Sequence, residues 1–517
     1  MKQLSSLDAQ FLAIEDGRRT GHVAALAIHD PSTAPNGTLT CATMMDLLNE
    51  RMHLLPPLRW RLAEVPFGLD YPYWVDDDDF DMTNHVRESA LPSPGSDHQL
   101  AVLVSRLHAR QLDRARPLWE MYVISGLRNG YVAVYTKIHH ALIDGVSGAE
   151  ITGLLLDVSP RGRPIPPAEP TTPERQPGKF ADVGPRAVRG PALSDSGAQV
   201  VAARAAQSRG DDVVGSAGSE PGGPAAGSAA TGRPARQPSG HPVAAAGAQD
   251  VAQPAGVAQP AVCVRAAGVA TRQDVKNAFG VTVNDVVVTI CAGAVRRWLL
   301  DHKELPEQPL VAQIPVSVRT EEQAGTYGNH VLMMSAPLHT DIADPAARLQ
   351  ATAAGLGEMK ERHRALPADL LCDVNHFIPP VLFNRAARAT FALATSSVGR
   401  PTWNVVVSNI PGPQFPLYCG GAQLVANYPV SAIADGLGLN ITVMSYDGQV
   451  DIGIVADREQ VPDVWTLLDG LDLSLTELGG RGTLAFPAWL SADSAPTPMP
   501  DGCMRLPKPQ PRRDWPD

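Results

Sequence analysis

The stretch 137–148, "KIHHALIDGVSG", holds the residue types with the clearest chemical capacity in this chain. An imidazole, with an ordinary pKa of about 6.5, takes up and returns protons near neutral pH, so a histidine held rigidly here fits a general base. Asp144, four residues after His140, is spaced to brace the loop or fix the ring, and Gly145 lets neighbouring backbone come close. Other readings compete. For a metal site, adjacent residues of a strand point to opposite faces, so His139 and His140 do not chelate one ion together, and His140 with Asp144 lacks an evident third ligand. For a serine hydrolase, "GVSGA" offers Ser147, yet a nucleophile elbow needs glycine two residues later, where Ala149 stands. The plainest reading is a polar strand end bonded to its neighbours. The combination favours His140 as base and leaves His139, facing the other way, as a structural residue.

The elements around the motif must hold it. "WEMYVIS" and "YVAVYTKI" alternate as strands about Arg128-Asn129-Gly130, a hairpin turn whose Asn and Gly accept positive φ. The histidines therefore close the second strand. After them Ile151, Leu154 and Leu155 recur at helical spacing. Upstream, Met44, Leu47, Leu48 and Met52 share a helical face that ends at Pro56-Pro57. The acidic run 76–79 reads as a solvated loop rather than a cation site.

Further along, "VTVNDVVVTICAGAVRRWLLDH" predicts a helix with Val287, Ile290, Cys291, Ala294 and Trp298 inward, and Thr282 to Asp285 carries its start signal. Strands follow in "PLVAQIPVSVRT", "GNHVLMMSAPLHT" and "WNVVVSNIPGP", with a helix near "DPAARLQATAAGLGEMKERH". "LNITVMSYDGQVDIGIVAD" predicts a hairpin turning at Asp447-Gly448, and Val464, Leu467, Leu468, Leu471 and Leu475 form the stripe of a last helix.

The 517 residues suffice for more than one lobe. A net charge of -11 without a basic cluster argues against nucleic acid as a partner. Six scattered cysteines lack the spacing of zinc or redox sites and fit a reduced, cytoplasmic protein. No uncharged apolar run approaches the roughly 18 residues that span a bilayer, so any membrane contact is expected to be peripheral.

"HHALIDG" matches the HHxxxDG motif of CoA-dependent acyltransferases and of peptide-synthetase condensation domains. With "LSSLDAQFLAIED", "RPLWEMYVISGL", "VNDVVVTICAGAVRRWL", "PVSVR", "GTYGNHV", "VVVSNIPGP" and "LNITVMSYDGQVDIGIVAD" in this order, the chain resembles the bacterial wax ester synthase/diacylglycerol acyltransferase family. The resemblance implies an α/β fold of two chloramphenicol-acetyltransferase-like lobes, each with a mixed sheet and flanking helices, meeting at a tunnel with the motif at its centre. It implies long-chain acyl-CoA as a substrate rather than a cofactor, with diacylglycerol or a long-chain alcohol as acceptor, at a membrane or lipid-droplet surface. No metal is expected. His140 is then the base; His139, Asp144, Gly145, Asn284 and Asp285 support it, and Arg319 of "PVSVR" is a candidate partner of Asp144. Asn284 and Asp285 are equally well read as helix-start residues. Two alternatives stay open: N-acyl transfer as in condensation domains, and a catalytically impaired protein that retains lipid or acyl-CoA binding.

The domain reading is an N-terminal lobe at 1–160, a low-complexity linker at 161–276, a C-terminal lobe at 277–479 and a loose tail at 480–517. Between Ala181 and Ala278 there is one leucine, Leu193, and no Ile, Met, Phe, Tyr or Trp, too little apolar surface to offset ordering entropy. That segment is expected to be disordered. Its Ala/Gly/Pro/Arg composition also fits out-of-frame translation of GC-rich coding DNA, which resequencing tests.

Overall fold

A computed structural model describes residues 2–15, 20–65, 70–142, 151–167, 260–268, 279–317, 331–364, 403–433 and 437–478. All of them belong to one compact unit, residues 1–167 with 240–517.

In the N-terminal portion the order is β1 (Lys2–Gln3), α1 (Ser6–Ile14), β2 (His22–Asp30), α2 (Cys41–Arg51), β3 (Trp60–Ala63), β4 (Tyr73–Asp76), β5 (Val86–Ala90), α3 (Asp97–His108), β6 (Trp119–Ser125) and β7 (Val132–His139). After the central segment come β8 (Pro260–Gly268), α4 (Val283–Asp301), β9 (Leu310–Ser317), β10 (Val331–Leu338), α5 (Pro345–Arg364), β11 (Val405–Ile410), β12 (Tyr418–Cys419), β13 (Ala422–Val430), β14 (Leu439–Tyr446), β15 (Gln449–Asp457) and α6 (Val464–Glu477).

Local chemistry explains the boundaries. Capping boxes start three helices: Ser5 with Asp8 for α1, Ser96 with Gln99 for α3 and Thr282 with Asp285 for α4. The β6–β7 connection turns through Asn129 at φ 66° and Gly130 at φ 76°, and β14–β15 through Asp447 at 41° and Gly448 at 72°. Both are the positive-φ pairs that the sequence signals.

Two six-stranded mixed sheets carry the fold. One runs β12-β13-β2-β7-β6-β5 and the other β10-β9-β11-β14-β15-β8, with a small three-stranded sheet β1-β4-β3 besides. In the first sheet β5 and β6 are parallel and the other neighbours antiparallel. In the second, β11 lies parallel to both β9 and β14. The two-lobed α/β expectation with mixed sheets is met. Helix α2 seals one face of the first sheet through Met44, Leu47 and Leu48. Against the second sheet, α4 and α6 interdigitate through Val287, Ile290, Cys291, Ala294 and Trp298 on one side and Leu467, Leu468, Leu471 and Leu475 on the other. These are the stripes read from the sequence.

Two boundaries need correction. The expected linker contains β8, which pairs with β15 from Pro260↔Asp457 to Gly268↔Gln449 and buries Ala261, Val262, Cys263 and Val264. Small residues and valines suffice there because the strand is sandwiched: α3 packs on it, and Ser105 Oγ accepts the Val262 N–H at 3.1 Å. The remainder of that linker, apart from 161–167 and 260–268, and the tail after 478 lie outside the described residues. Strands β12 and β13, assigned by position to the C-terminal lobe, belong instead to the N-terminal sheet, where β13 pairs with β2 from Gln423↔Asp30 to Val430↔Ala24. Gly453 of β15 makes this crossing possible, since a Cβ there would sit 1.7 Å from the Pro429 carbonyl oxygen. The Asp76–Asp79 run is partly structural: Asp77 is buried and faces Arg61 at 3.6 Å, while Asp76, Asp78 and Asp79 are exposed.

Candidate active site

Strand β7 is the third strand from the β5 edge of the first sheet, so both its sides are paired at the point where it ends. The His139 N–H donates to Leu118 O at 2.9 Å, and the His140 N–H to Gly21 O at 2.8 Å. Leu142 N–H then closes a turn onto His139 O at 2.9 Å. Backbone bonds on three sides therefore fix the two Cα–Cβ directions before any side-chain contact acts.

His139 points toward the face where Lys137 is also buried, and both are 0% exposed. Its Nδ1 accepts the Ala141 N–H at 3.1 Å, so the ring proton resides on Nε2. That Nε2–H faces Glu15 Oε2 at 3.7 Å. The same oxygen receives two bonds from Arg114, at 2.8 Å from Nη2 and 3.1 Å from Nε, and Glu15 Oε1 accepts the Gly21 N–H at 3.2 Å. Burial by itself raises the Glu15 pKa, but His139, Arg114 and the Gly21 N–H together outweigh it and hold the carboxyl at about 2. Glu15 is thus a fixed negative charge behind His139. Gly21 is required by the crowding: a Cβ there would lie 2.7 Å from His139 Nε2 and 2.9 Å from Phe11 O.

Lys137 ties β7 to the end of α3. Its ammonium donates to Leu107 O at 3.1 Å and Arg110 O at 2.8 Å, and meets Glu120 at 3.3 Å. Burial lowers its pKa and Glu120 restores part of the loss. A cation on the last carbonyls of a helix is a favourable placement.

His140 projects to the opposite face, half-buried, with its ring stacked on Phe11 at 4.1 Å between centroids and 10° between planes. A cleft lined by Lys2, Asp8, Trp60 and Trp74 reaches Ala141 and Leu142, directly after it. One histidine is enclosed in an ion network, and the other is half-buried against an aromatic ring.

Asp144, Gly145 and Arg319 lie outside the described residues. Helical residues 151–155, which follow the motif, are anchored at their C-terminal end. Arg51 Nη1 donates to Leu154 O at 3.3 Å and Leu155 O at 2.7 Å, while its Nη2 meets Asp157 at 2.6 Å. Asp157 in turn exchanges backbone bonds with Tyr418 of β12, at 2.8 and 2.7 Å.

The second pair divides. Asp285 is spent on capping α4: its Oδ2 accepts the Thr282 N–H at 2.8 Å. Asn284 faces β11, its Oδ1 accepting from Asn409 Nδ2 at 3.5 Å. Sequence reasoning missed Phe11, Glu15, Gly21, Arg114 and Asn409. A local signal existed only for the first two, since the Ser5–Asp8 capping box sets the phase of α1; Arg114 is 99 residues from Glu15. Among the described residues no cluster of three or more His, Cys, Asp or Glu is placed to hold a metal ion.

Comparison with known proteins adds the chemistry of the family. Residues 4–287 match the wax ester synthase/diacylglycerol acyltransferase catalytic domain, and residues 327–479 match the WS/DGAT C-terminal domain. A putative diacylglycerol O-acyltransferase of Mycobacterium tuberculosis is 35% identical over 486 residues, covering 92% of this chain and 90% of that protein. Among solved structures, the wax ester synthase/diacylglycerol acyltransferase of Marinobacter aquaeolei superposes with a TM-score of 0.59 at 28% identity, covering 92% of this chain and 98% of that one. The first condensation domain of the CDA synthetase shares the fold alone, with a TM-score of 0.53 at 15% identity over 94% of this chain and 98% of that one. With the catalytic-domain model matched across the His139-His140 turn and the C-terminal model after it, the chain belongs to the wax ester synthase/diacylglycerol acyltransferase family and is an acyltransferase.

Proposed function

We propose that this protein transfers the acyl group of a long-chain acyl-CoA to the hydroxyl of diacylglycerol, and of long-chain alcohols, with His140 as general base. The observation that carries the assignment is the division of labour within the histidine pair. His139 is buried with Glu15 and Arg114, whereas His140 is backbone-anchored, half-buried and stacked on Phe11.

The reaction needs one proton carrier. His140 removes the acceptor's hydroxyl proton as that oxygen attacks the thioester carbonyl; the C–O bond forms, the C–S bond breaks, and the proton passes from the imidazolium to the departing CoA thiolate. General base catalysis contributes about 10²- to 10⁴-fold, and holding both substrates at one reacting centre supplies much of the rest. No acyl-enzyme intermediate is needed. Asp144 braces the motif turn, with Arg319 as its partner, and Gly145 keeps the turn compact. Asn284, at the start of α4 and bonded to Asn409 of β11, supports the site from the C-terminal lobe.

Because the acceptor is a lipid, the enzyme works at a lipid surface, as a peripheral protein at a membrane or inclusion. No helix among the described residues is long and apolar enough to cross a bilayer. The test is ester formation by the purified protein from labelled acyl-CoA with diacylglycerol, hexadecanol or a long-chain amine, run beside His140→Ala. The expected result is ester with the first two acceptors and a loss of about 10²-fold or more in the variant. Unchanged ester formation in His140→Ala overturns the base assignment, and product with the amine alone overturns the acceptor class.

A further inference from the structure

The Ser5-x-x-Asp8-x-x-Phe11 run links a helix start to the catalytic turn. Ser5 Oγ accepts the Asp8 N–H at 3.1 Å, and Asp8 Oδ2 accepts from Ser5 N–H at 3.2 Å and Ser5 Oγ at 2.7 Å. This box fixes the first turn of α1 and hence the direction of every side chain after it. Phe11, three residues beyond Asp8, lands on the same side of the helix. Its ring lies flat against His140.

We propose that Phe11 is a positioning residue for the base: its ring face sets the plane of the His140 imidazole and stabilises the imidazolium formed as His140 takes the acceptor's proton. This rests on the reading of His140 as base. Two physical effects act together. A flat stack at 4.1 Å restrains the imidazole from sliding and tilting, so the ring keeps one line of approach to the acceptor. The negative face of a phenyl ring also attracts a cation lying over it, at this range, more than it attracts the neutral ring. The cationic ring exists only after proton transfer, so the contact favours the state that follows the hydroxyl's activation. An aliphatic side chain of similar volume keeps the packing and loses that preference.

The test compares Phe11→Leu and Phe11→Tyr in the full-length protein, with His140→Ala as a separate arm. The readouts are kcat, KM for acyl-CoA and the acid limb of the pH profile of kcat/KM. Among the described residues, the charged and titratable groups around the turn are Lys2 of β1, Asp8 and Glu15 of α1, His22 of β2, Lys137 and His139 of β7 and Arg114 before β6; all are retained in both Phe11 variants. Phe11→Leu is expected to lower kcat about 10-fold, to leave KM for acyl-CoA within about 2-fold, and to move the acid limb down by roughly half to one pH unit. Phe11→Tyr, which keeps an aromatic face, is expected to restore both kcat and the limb. If Phe11→Leu does not fold, Phe11→Met gives the same comparison with a flexible apolar chain. A normal profile in the aliphatic variant, or equal losses in aliphatic and Tyr variants, overturns the inference while the His140→Ala arm still reports on the base itself.

Discussion

Glu15 faces the His139 ring at 3.7 Å while Arg114 grips the same carboxylate oxygen at 2.8 Å. The pair joins α1, strand β7 and the segment before β6. Its effect on stability has a defined sign. The folded carboxyl titrates at about 2, below its ordinary value of about 4.5, so its contribution is present above pH 4.5 and is lost as pH falls from there toward 2. Glu15→Gln is expected to lower stability at pH 7 by roughly 1–3 kcal/mol and to flatten the acid side of the stability curve. Urea unfolding at pH 7, 5 and 3.5 measures both, and parallel curves for the two proteins contradict the assignment.

Gly21→Ala forces a methyl group against His139 Nε2 and the Phe11 carbonyl. The strand must shift, and with it the Gly21 carbonyl that fixes the His140 N–H. A stability loss of about 1–3 kcal/mol is expected together with a fall of about 10-fold or more in kcat. Thermal unfolding and initial rates check the two effects separately.

Arg51 and Asp157 form a buried ion pair, 2% and 5% exposed in their side chains, at the end of the helix that follows the motif. Breaking one side leaves a buried charge. Arg51→Met should cost about 3–5 kcal/mol, and adding Asp157→Leu should recover a large part of it. A double-mutant cycle by urea denaturation gives the coupling, and a double variant no more stable than Arg51→Met speaks against the pairing.

The edge strand β8 is predicted to be a folded part of the second sheet despite its neighbours' composition. Amides of residues 261–267 should exchange on the timescale of β15, far more slowly than those of residues 181–250. Ser105→Ala removes the acceptor of the Val262 N–H and is expected to cost about 1 kcal/mol. Hydrogen exchange with fragment readout tests the first statement, and uniform rapid exchange from 181 to 268 refutes it.

His29 is buried on β2, and burial pushes its pKa from 6.5 down to about 4. The unfolded chain therefore binds the extra proton first, and the fold loses stability as pH falls from 6.5 to 4. His29→Leu is expected to remove that slope, leaving the variant as stable as the parent at pH 7 and more stable by roughly 1–2 kcal/mol at pH 5. Unfolding midpoints at the two pH values decide it.

How much was legible in the sequence follows from which contacts are local. The Thr282–Asp285 capping box, the Asn129-Gly130 and Asp447-Gly448 turns and the inward stripes of α2, α4 and α6 depend on residues within a few positions of each other, and each was placed from spacing. The separation of His139 from His140 followed from the two-residue period of a strand. Asp285 was readable as a cap for the same reason, although its neighbour Asn284 turned out to face Asn409, 125 residues away.

Tertiary structure alone decided the rest. The sequence by itself determined the family and those helices and hairpins whose signals are local, and it pointed to His140 as the candidate base, because periodicity, capping and motif spacing are short-range properties of one chain. Only the fold decided that β13 leaves its lobe to join β2, that β8 is ordered within a segment poor in large apolar residues, and that Phe11, Glu15 and Arg114 converge on the two histidines. These pairings unite residues up to several hundred positions apart, and their free energy comes from burial and charge complementarity that exist once the sheets are assembled.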